Sequence, residues 1–192
     1  MHFSRVVLFV FFTLISSIST AQSFSLDFNS YAHDGSRLLS VGPSLEIGDY
    51  QITSCFGSCG ADNIATWSKS DPNQADFGNA ALLLNYSKTI ELFRTDGGAF
   101  DLVSLDLAPD VRGNVLEAKV VFNFFNAPSE TTYLNYDISN SSKQSFLEKF
   151  IINKAGLRSF SINGNLQIDN IVLVSTSVVP EPSMLSLMLC GS

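Results

Sequence analysis

The sequence predicts an all-β fold, an antiparallel β-sandwich of jelly-roll-like organisation. Three observations carry this reading. Short runs rich in Val, Ile, Phe, Tyr and Thr recur about every ten residues, each closed by Gly, Pro, Asn, Asp or Ser. Several of these runs alternate apolar and polar residues with the period of two that a half-buried strand requires. No stretch of the body keeps a helical period over three turns, so the crossover helices that a parallel sheet needs are missing.

In chain order, residues 24–28 (FSLDF) form the first alternating segment, and 29–36 are turn-rich. Residues 45–52 (LEIGDYQI) read as a strand with a glycine interruption. Residues 53–79 read as a long irregular stretch holding CFGSC, Trp67 and the polar run SKSDPNQAD. Long surface loops of this kind often carry function. Residues 80–86 and 89–93 read as a hairpin, and Asp96-Gly97-Gly98 is a strong turn signal. Residues 99–107 (AFDLVSLDL) alternate best. Phe100, Leu102, Ser104 and Asp106 share one face, with Asp101, Val103, Leu105 and Leu107 on the other. Segments 115–125, 131–138, 146–152, 157–162 and 166–174 complete the series.

The N-terminus reads as an export signal. Arg5 precedes an apolar run at 6–15 (VVLFVFFTLI). Ser19 and Ala21 then occupy the small-residue positions of a cleavage site before Gln22. An apolar core of about ten residues is too short to span a ~30 Å hydrocarbon layer as a helix. The expected organisation is a leader at 1–21, a sandwich domain at 22–174, and a linker with a tail at 175–192. The domain is large enough to bury a core without help from metal or disulfide. The chain carries 11 Lys+Arg against 18 Asp+Glu, a formal charge of -7. With no basic stripe to meet a phosphate backbone, nucleic acid is excluded as the expected partner.

The chemistry-bearing residues are few. Cys55 and Cys59 lie beyond the leader, hence in an oxidising compartment, and are expected to form a local disulfide. Three residues separate them, against the two of a redox motif, and a zinc site would need further ligands where His33 is the one mature histidine. His33 sits in the turn-rich YAHDGS and reads as a surface loop residue. No G-x-S-x-G elbow, H-E-x-x-H, P-loop or dinucleotide fingerprint is present. Paired carboxylates remain open to acid–base chemistry, and no pair stands above the others.

Asp27, Asp101 and Asp169 stand out by position. First and last strands commonly become neighbours in a sandwich. Asp27 and Asp169, with Asn29 or Asn170 and backbone carbonyls, would then suit Ca²⁺, which prefers oxygen ligands. The other reading is that Asp169-Asn170 caps or bends the last strand. Trp67 and Tyr31 are the candidate sugar-stacking aromatics, followed by Tyr133 and Tyr136, which point to opposite faces of a strand. The polar run beside Trp67 favours exposure at a binding surface, with burial in the core as the alternative.

After the domain comes Val179-Pro180-Glu181-Pro182-Ser183, then MLSLMLCGS. The prolines cannot continue a central strand and end the domain. The triplet Pro180, Glu181 and Pro182 before a leucine-rich run resembles the PEP-CTERM sorting signal of exported bacterial proteins. Segments 97–108 (GGAFDLVSLDLA) and 166–174 (LQIDNIVLV) resemble a recurrent ectodomain of such proteins. The apolar run reaches Cys190-Gly191-Ser192 without a full membrane span or a basic cluster, so the tail is expected to be an incomplete signal, truncated or degenerate. The resemblance implies an exosortase-type processing peptidase and membrane contact only transiently through the tail. It also implies a place in the medium or on the surface of a Gram-negative bacterium that makes exopolysaccharide. The expected function is a non-catalytic surface or matrix protein whose sandwich binds polysaccharide. The alternatives are a secreted glycan hydrolase using paired carboxylates and a purely structural or adhesive module.

Overall fold

The computed structural model describes residues 22–35, 38–56, 58–59, 64–71, 75, 79–84, 89–110, 116–136 and 147–175. The strands are β1 (Gln22–Leu26), β2 (Leu38–Gly42), β3 (Ser44–Ile47), β4 (Tyr50–Phe56), β5 (Ser58–Cys59), β6 (Ile64–Trp67) and β7 (Leu82–Leu84). They continue with β8 (Thr89–Arg94), β9 (Phe100–Pro109), β10 (Leu116–Phe124), β11 (Glu130–Tyr136), β12 (Glu148–Asn163) and β13 (Leu166–Ser175). A short 3-10 turn at Asn29–Tyr31 follows β1.

Hydrogen bonding runs β2-β6-β7-β13-β9-β12-β8-β4-β3, with β1 on β13, β10 between β11 and β12, and β5 on β4. The pivot is β12. Its first half pairs with β9, and its second half pairs with β8 and β10. Register shifts fall between Ile151 and Lys154 and between Lys154 and Leu157, where Asn153 and Gly156 have positive φ. Such bulges bend a strand and raise its twist, and here they turn one continuous ladder into two facing layers. Rings meet across the space between them: Phe100 of β9 lies 5.7 Å from Tyr50 of β4 and 6.5 Å from Phe160 of β12. Leu92, Leu102, Ile162 and Leu173 fill the same core. The result is an antiparallel β-sandwich. Its first and last strands are neighbours, with β1 paired to β13 from Gln22↔Ser175 to Leu26↔Ile171, as a jelly-roll-like arrangement requires.

Four sequence-based expectations are corrected. Residues 45–52 are a hairpin: Gly48 takes φ 59 and Ile47 pairs with Tyr50 across the Gly48-Asp49 turn, a two-residue connection that favours glycine. The long stretch at 53–79 contains strand β6. The segments at 80–86 and 89–93 do not pair with each other, since β7 lies on β13 and β6 while β8 lies on β4 and β12. The segments at 146–152 and 157–162 are one bulged strand of 16 residues.

Candidate functional site

Three chain segments meet at one end of the sandwich. Arg94 closes β8. Its guanidinium grips the Asp96 carboxylate through Nε and Nη2, and its Nη1 donates to the Ala99 carbonyl at 3.3 Å. The Gly98 N–H donates to Asp96 Oδ1 at 2.8 Å. Gly97 has φ 72, a left-handed conformation that favours glycine, and a Cβ at Gly98 would press to 3.0 Å from Asp96 Oδ1 and 3.1 Å from Arg94 Cζ. The Arg94 side chain, and after it the Gly98 N–H, hold the Asp96 carboxyl below the ordinary carboxylate range. This is a bidentate, charge-assisted arrangement.

The second wall is the end of β10 and the turn after it. Neighbouring residues on a strand point to opposite faces. Phe124 packs against the core, whereas Phe125 is 47% exposed. The third segment is the β12 bulge. Gly156, at φ 69, donates its N–H to Asp101 Oδ1 at 2.8 Å. Asp101 thus anchors a neighbouring strand. Residues 97–99, 124–127 and 155–156 line a groove of about 520 Å³. That size falls in the range typical of small-molecule sites, which are mostly apolar clefts with few polar groups. Phe125 supplies an aromatic ring, Asn126 a side-chain amide, and the glycines open backbone. Among the described residues the lining holds no acid, base or nucleophile.

The residues singled out from sequence fall elsewhere. Trp67 is buried at 8% exposure, and its indole N–H donates to the Asp110 carbonyl at 3.2 Å. The expectation of an exposed binding tryptophan is therefore corrected. The large apolar ring sits inside and its single donor is satisfied by backbone. Tyr31 packs, half-buried, against the core, and its carbonyl accepts the Thr66 hydroxyl. Tyr133 is 55% exposed on β11. The Tyr136 side chain lies outside the described residues. His33 lies with Nε2 3.4 Å from the Thr66 carbonyl.

For the proposed cation ligands, the strands meet as expected, with the β1–β13 ladder ending just short of Asp27 and Asn170. Asp27 is exposed, and its Oδ1 accepts the Asn29 N–H at 3.2 Å. Asp169 is 1% exposed, opposite Asp106 on β9, and the Asn170 amide donates to Asp106 Oδ2 at 3.0 Å. Asn170 takes φ 47 at a register shift, so Asp169-Asn170 marks a bend in the last strand. Among the described residues no group of three or more His, Cys, Asp or Glu could hold a metal ion. The calcium expectation rests on the meeting of the two strands alone.

Cys55 and Cys59 are backbone partners across the β4–β5 ladder. Directly paired antiparallel residues have Cα atoms about 4.5–5.5 Å apart, within the span of a disulfide. Their side chains lie outside the described residues, as do the leader and Pro180, Glu181 and Pro182 of the tail.

Sequence reasoning missed Phe125. Its signal was present: a Phe-Phe pair at the end of a strong strand, followed by Asn126-Ala127-Pro128. An alternating strand that ends in two aromatics must turn one of them outward.

No family model matches the chain, and no curated protein matches it. Solved structures similar to it include the following two. One is CBM32-3 from a family 31 glycoside hydrolase of Clostridium perfringens, at 12% identity and TM-score 0.33 over 78% of this chain and 97% of that chain. The other is the K2 cleaved adhesin domain of Lys-gingipain, at 12% identity and TM-score 0.35 over 81% of this chain and 98% of that chain. At these scores neither likeness bears on function. No helix of the described residues is long and apolar enough to cross a membrane.

Proposed function

We propose that this chain is an exported, non-catalytic module that binds carbohydrate in the groove between residues 97–99, 124–127 and 155–156. The observation that carries this reading is the exposed Phe125 ring at the wall of a groove whose described lining residues are all neutral. A sugar ring offers an apolar C–H face for an aromatic side chain. It also offers hydroxyls for the Asn126 amide and for backbone groups that the glycines leave uncovered. The Arg94–Asp96 pair and the Asp101–Gly156 bond tie two of the groove's three segments before any ligand arrives. Preorganisation lowers the entropic cost of binding. The leader-like N-terminus and the tail resembling a PEP-CTERM signal support export to the cell surface or extracellular matrix, where exopolysaccharide is the ligand at hand.

The hydrolase alternative needs two carboxylates reaching one glycosidic bond. Strand register sets Asp106 opposite Asp169, and the burial of Asp169 keeps that pair from serving a solvent-borne substrate.

Native gel electrophoresis through embedded neutral polysaccharides tests the proposal. The wild-type protein is expected to be retarded by at least one glycan. Phe125→Ala is expected to run freely while melting at nearly the wild-type temperature. Equal retardation of both proteins would overturn the groove assignment.

A further inference from the structure

The groove opens beside the part of one layer's outer face formed by β8, the second half of β12, β10 and β11; β4 and β3 continue that layer beyond β8. Register places Phe93, Ser159 and Asn123 in one cross-strand row. Glu91, Ser161, Val121 and Thr131 form the next row. Thr89, Asn163, Lys119 and Tyr133 form the third. The intervening residues, among them Leu92, Phe160 and Phe122, point into the core.

An antiparallel sheet normally turns one polar face to water, but this face is not the usual array of long charged side chains. In these rows Glu91 and Lys119 are the charged groups, and the remainder are short hydroxyls and amides with two aromatics and a valine. The polar groups are already ordered. The Ser129 hydroxyl donates to Asn123 Oδ1 at 2.7 Å, the Asn123 amide donates to Ser159 Oγ at 3.0 Å, and the Ser159 hydroxyl donates to Glu91 Oε1 at 2.7 Å. The Asn163 amide donates to Thr89 Oγ1 at 2.9 Å. The aromatics stand at the two ends of a diagonal across these four strands: half-buried Phe93 precedes Arg94 of the groove turn, and Tyr133 is 55% exposed on the edge strand β11. Three strand spacings and four residue steps separate them, on the order of 20 Å along the diagonal.

We infer that the ligand is an extended, neutral glycan chain, held at one position in the groove and continuing across this face from Phe93 to Tyr133. The inference rests on the groove reading and adds the ligand's length, path and charge. A terminal sugar would fill the groove alone. A chain would use two aromatic stacking sites with hydrogen-bonding groups between them at strand spacing, from Asn123, Ser161, Thr131 and Asn163 and not from the buried Ser159, a repeat comparable with that of linked pyranose rings. Charge selects against acidic polymers: the chain carries a formal charge of -7, these rows offer Lys119 against Glu91, and β3 adds the exposed Glu46 farther along the Phe93 row. Like-signed charge disfavours encounter with a polyanion.

The test is calorimetric titration of the purified protein with glucan, galactan and mannan, then with the oligomer ladder of whichever binds. Affinity is expected to rise from disaccharide to oligomers long enough to span the face. Tyr133→Ala is expected to weaken the long oligomers about 2- to 10-fold, as the loss of one aromatic contact does, and to leave the disaccharide unchanged. Tyr133 is an exposed edge residue, so this variant folds; Phe93→Leu, which keeps an apolar side chain, is expected to show the same selective loss. Length-independent affinity that is lost in Phe125→Ala but intact in Tyr133→Ala would overturn this inference and leave the groove reading standing. Binding to none of the neutral polymers would overturn both.

Discussion

Trp67 and Phe125 reverse what their sequence neighbours suggest. Trp67 precedes a polar run and is buried, whereas Phe125 directly follows strand β10 and is 47% exposed. The difference lies in what each end of the sandwich does with its backbone. Near Trp67, the segment after β6 is drawn inward. The Trp67 indole reaches the Asp110 carbonyl, and the buried Gln167 amide accepts the Ala75 N–H at 3.0 Å and donates to the Pro109 carbonyl at 2.9 Å. That end is sealed by polar groups satisfied internally, as burial demands. At the Phe125 end, the glycine turn is tight, and among the described residues no segment folds over the aromatic ring. One end spends its aromatic on stability and the other leaves it for a ligand.

The largest effect expected from breaking this contrast is at Trp67. Trp67→Ala should cost about 3–5 kcal/mol, as truncation of large buried aromatics does, measured by denaturant unfolding. The glycan affinity of the protein that remains folded should be unchanged. Gln167→Ala comes next. It removes the partner that Gln167 gives the Ala75 N–H and the Pro109 carbonyl, and a cost of about 1–3 kcal/mol is expected, with the melting temperature as readout. Phe125→Ala should change stability by less than about 0.5 kcal/mol, the usual range for surface substitutions, while abolishing glycan retention. A Phe125→Ala loss as large as that of Trp67→Ala would erase the distinction between the two ends.

The two-layer plan was legible because its cause is local. Alternation in 99–107 and 115–125, with turn residues between segments, requires strands whatever the tertiary partners. The neighbouring of first and last strands was also anticipated. Pairing partners were not legible elsewhere: nothing in residues 80–93 tells a hairpin from two strands entering different layers, since both demand the same apolar runs. The merging of 146–152 with 157–162 was hidden because Asn153 and Gly156 look like turn residues and serve as bulges. The site was read least well. Composition near Trp67 spoke for exposure, but burial is decided by which distant strand end lies opposite, here residues 109–110 of β9 and the turn after it. Asp101, singled out as a carboxylate, works through the Gly156 backbone.

The smallest expected effect sharpens the account of the groove turn. Interactions with Arg94 and Gly98 hold the folded Asp96 carboxyl below its unfolded value. The folded state therefore binds fewer protons in that window. The stabilisation is present above the ordinary carboxylate range and is lost as pH falls through the lowered folded value. Asp96 is largely exposed, so solvent screening keeps the effect on global stability small. Acidification should loosen the 95–99 turn and weaken glycan binding before the melting temperature drops appreciably. Asp96→Asn should show weakened binding already at neutral pH.

The central claim is that the ligand lies at the Phe125 end. Amide chemical-shift mapping during titration with a bound neutral oligosaccharide tests it most directly. The account predicts that the largest perturbations fall at Gly97, Gly98, Asn126 and Gly156, with smaller ones spreading to Phe93 and Tyr133 as the oligomer lengthens. Perturbations centred on Tyr31, His33 and Trp67, with the 97–99 and 124–127 segments silent, would contradict it.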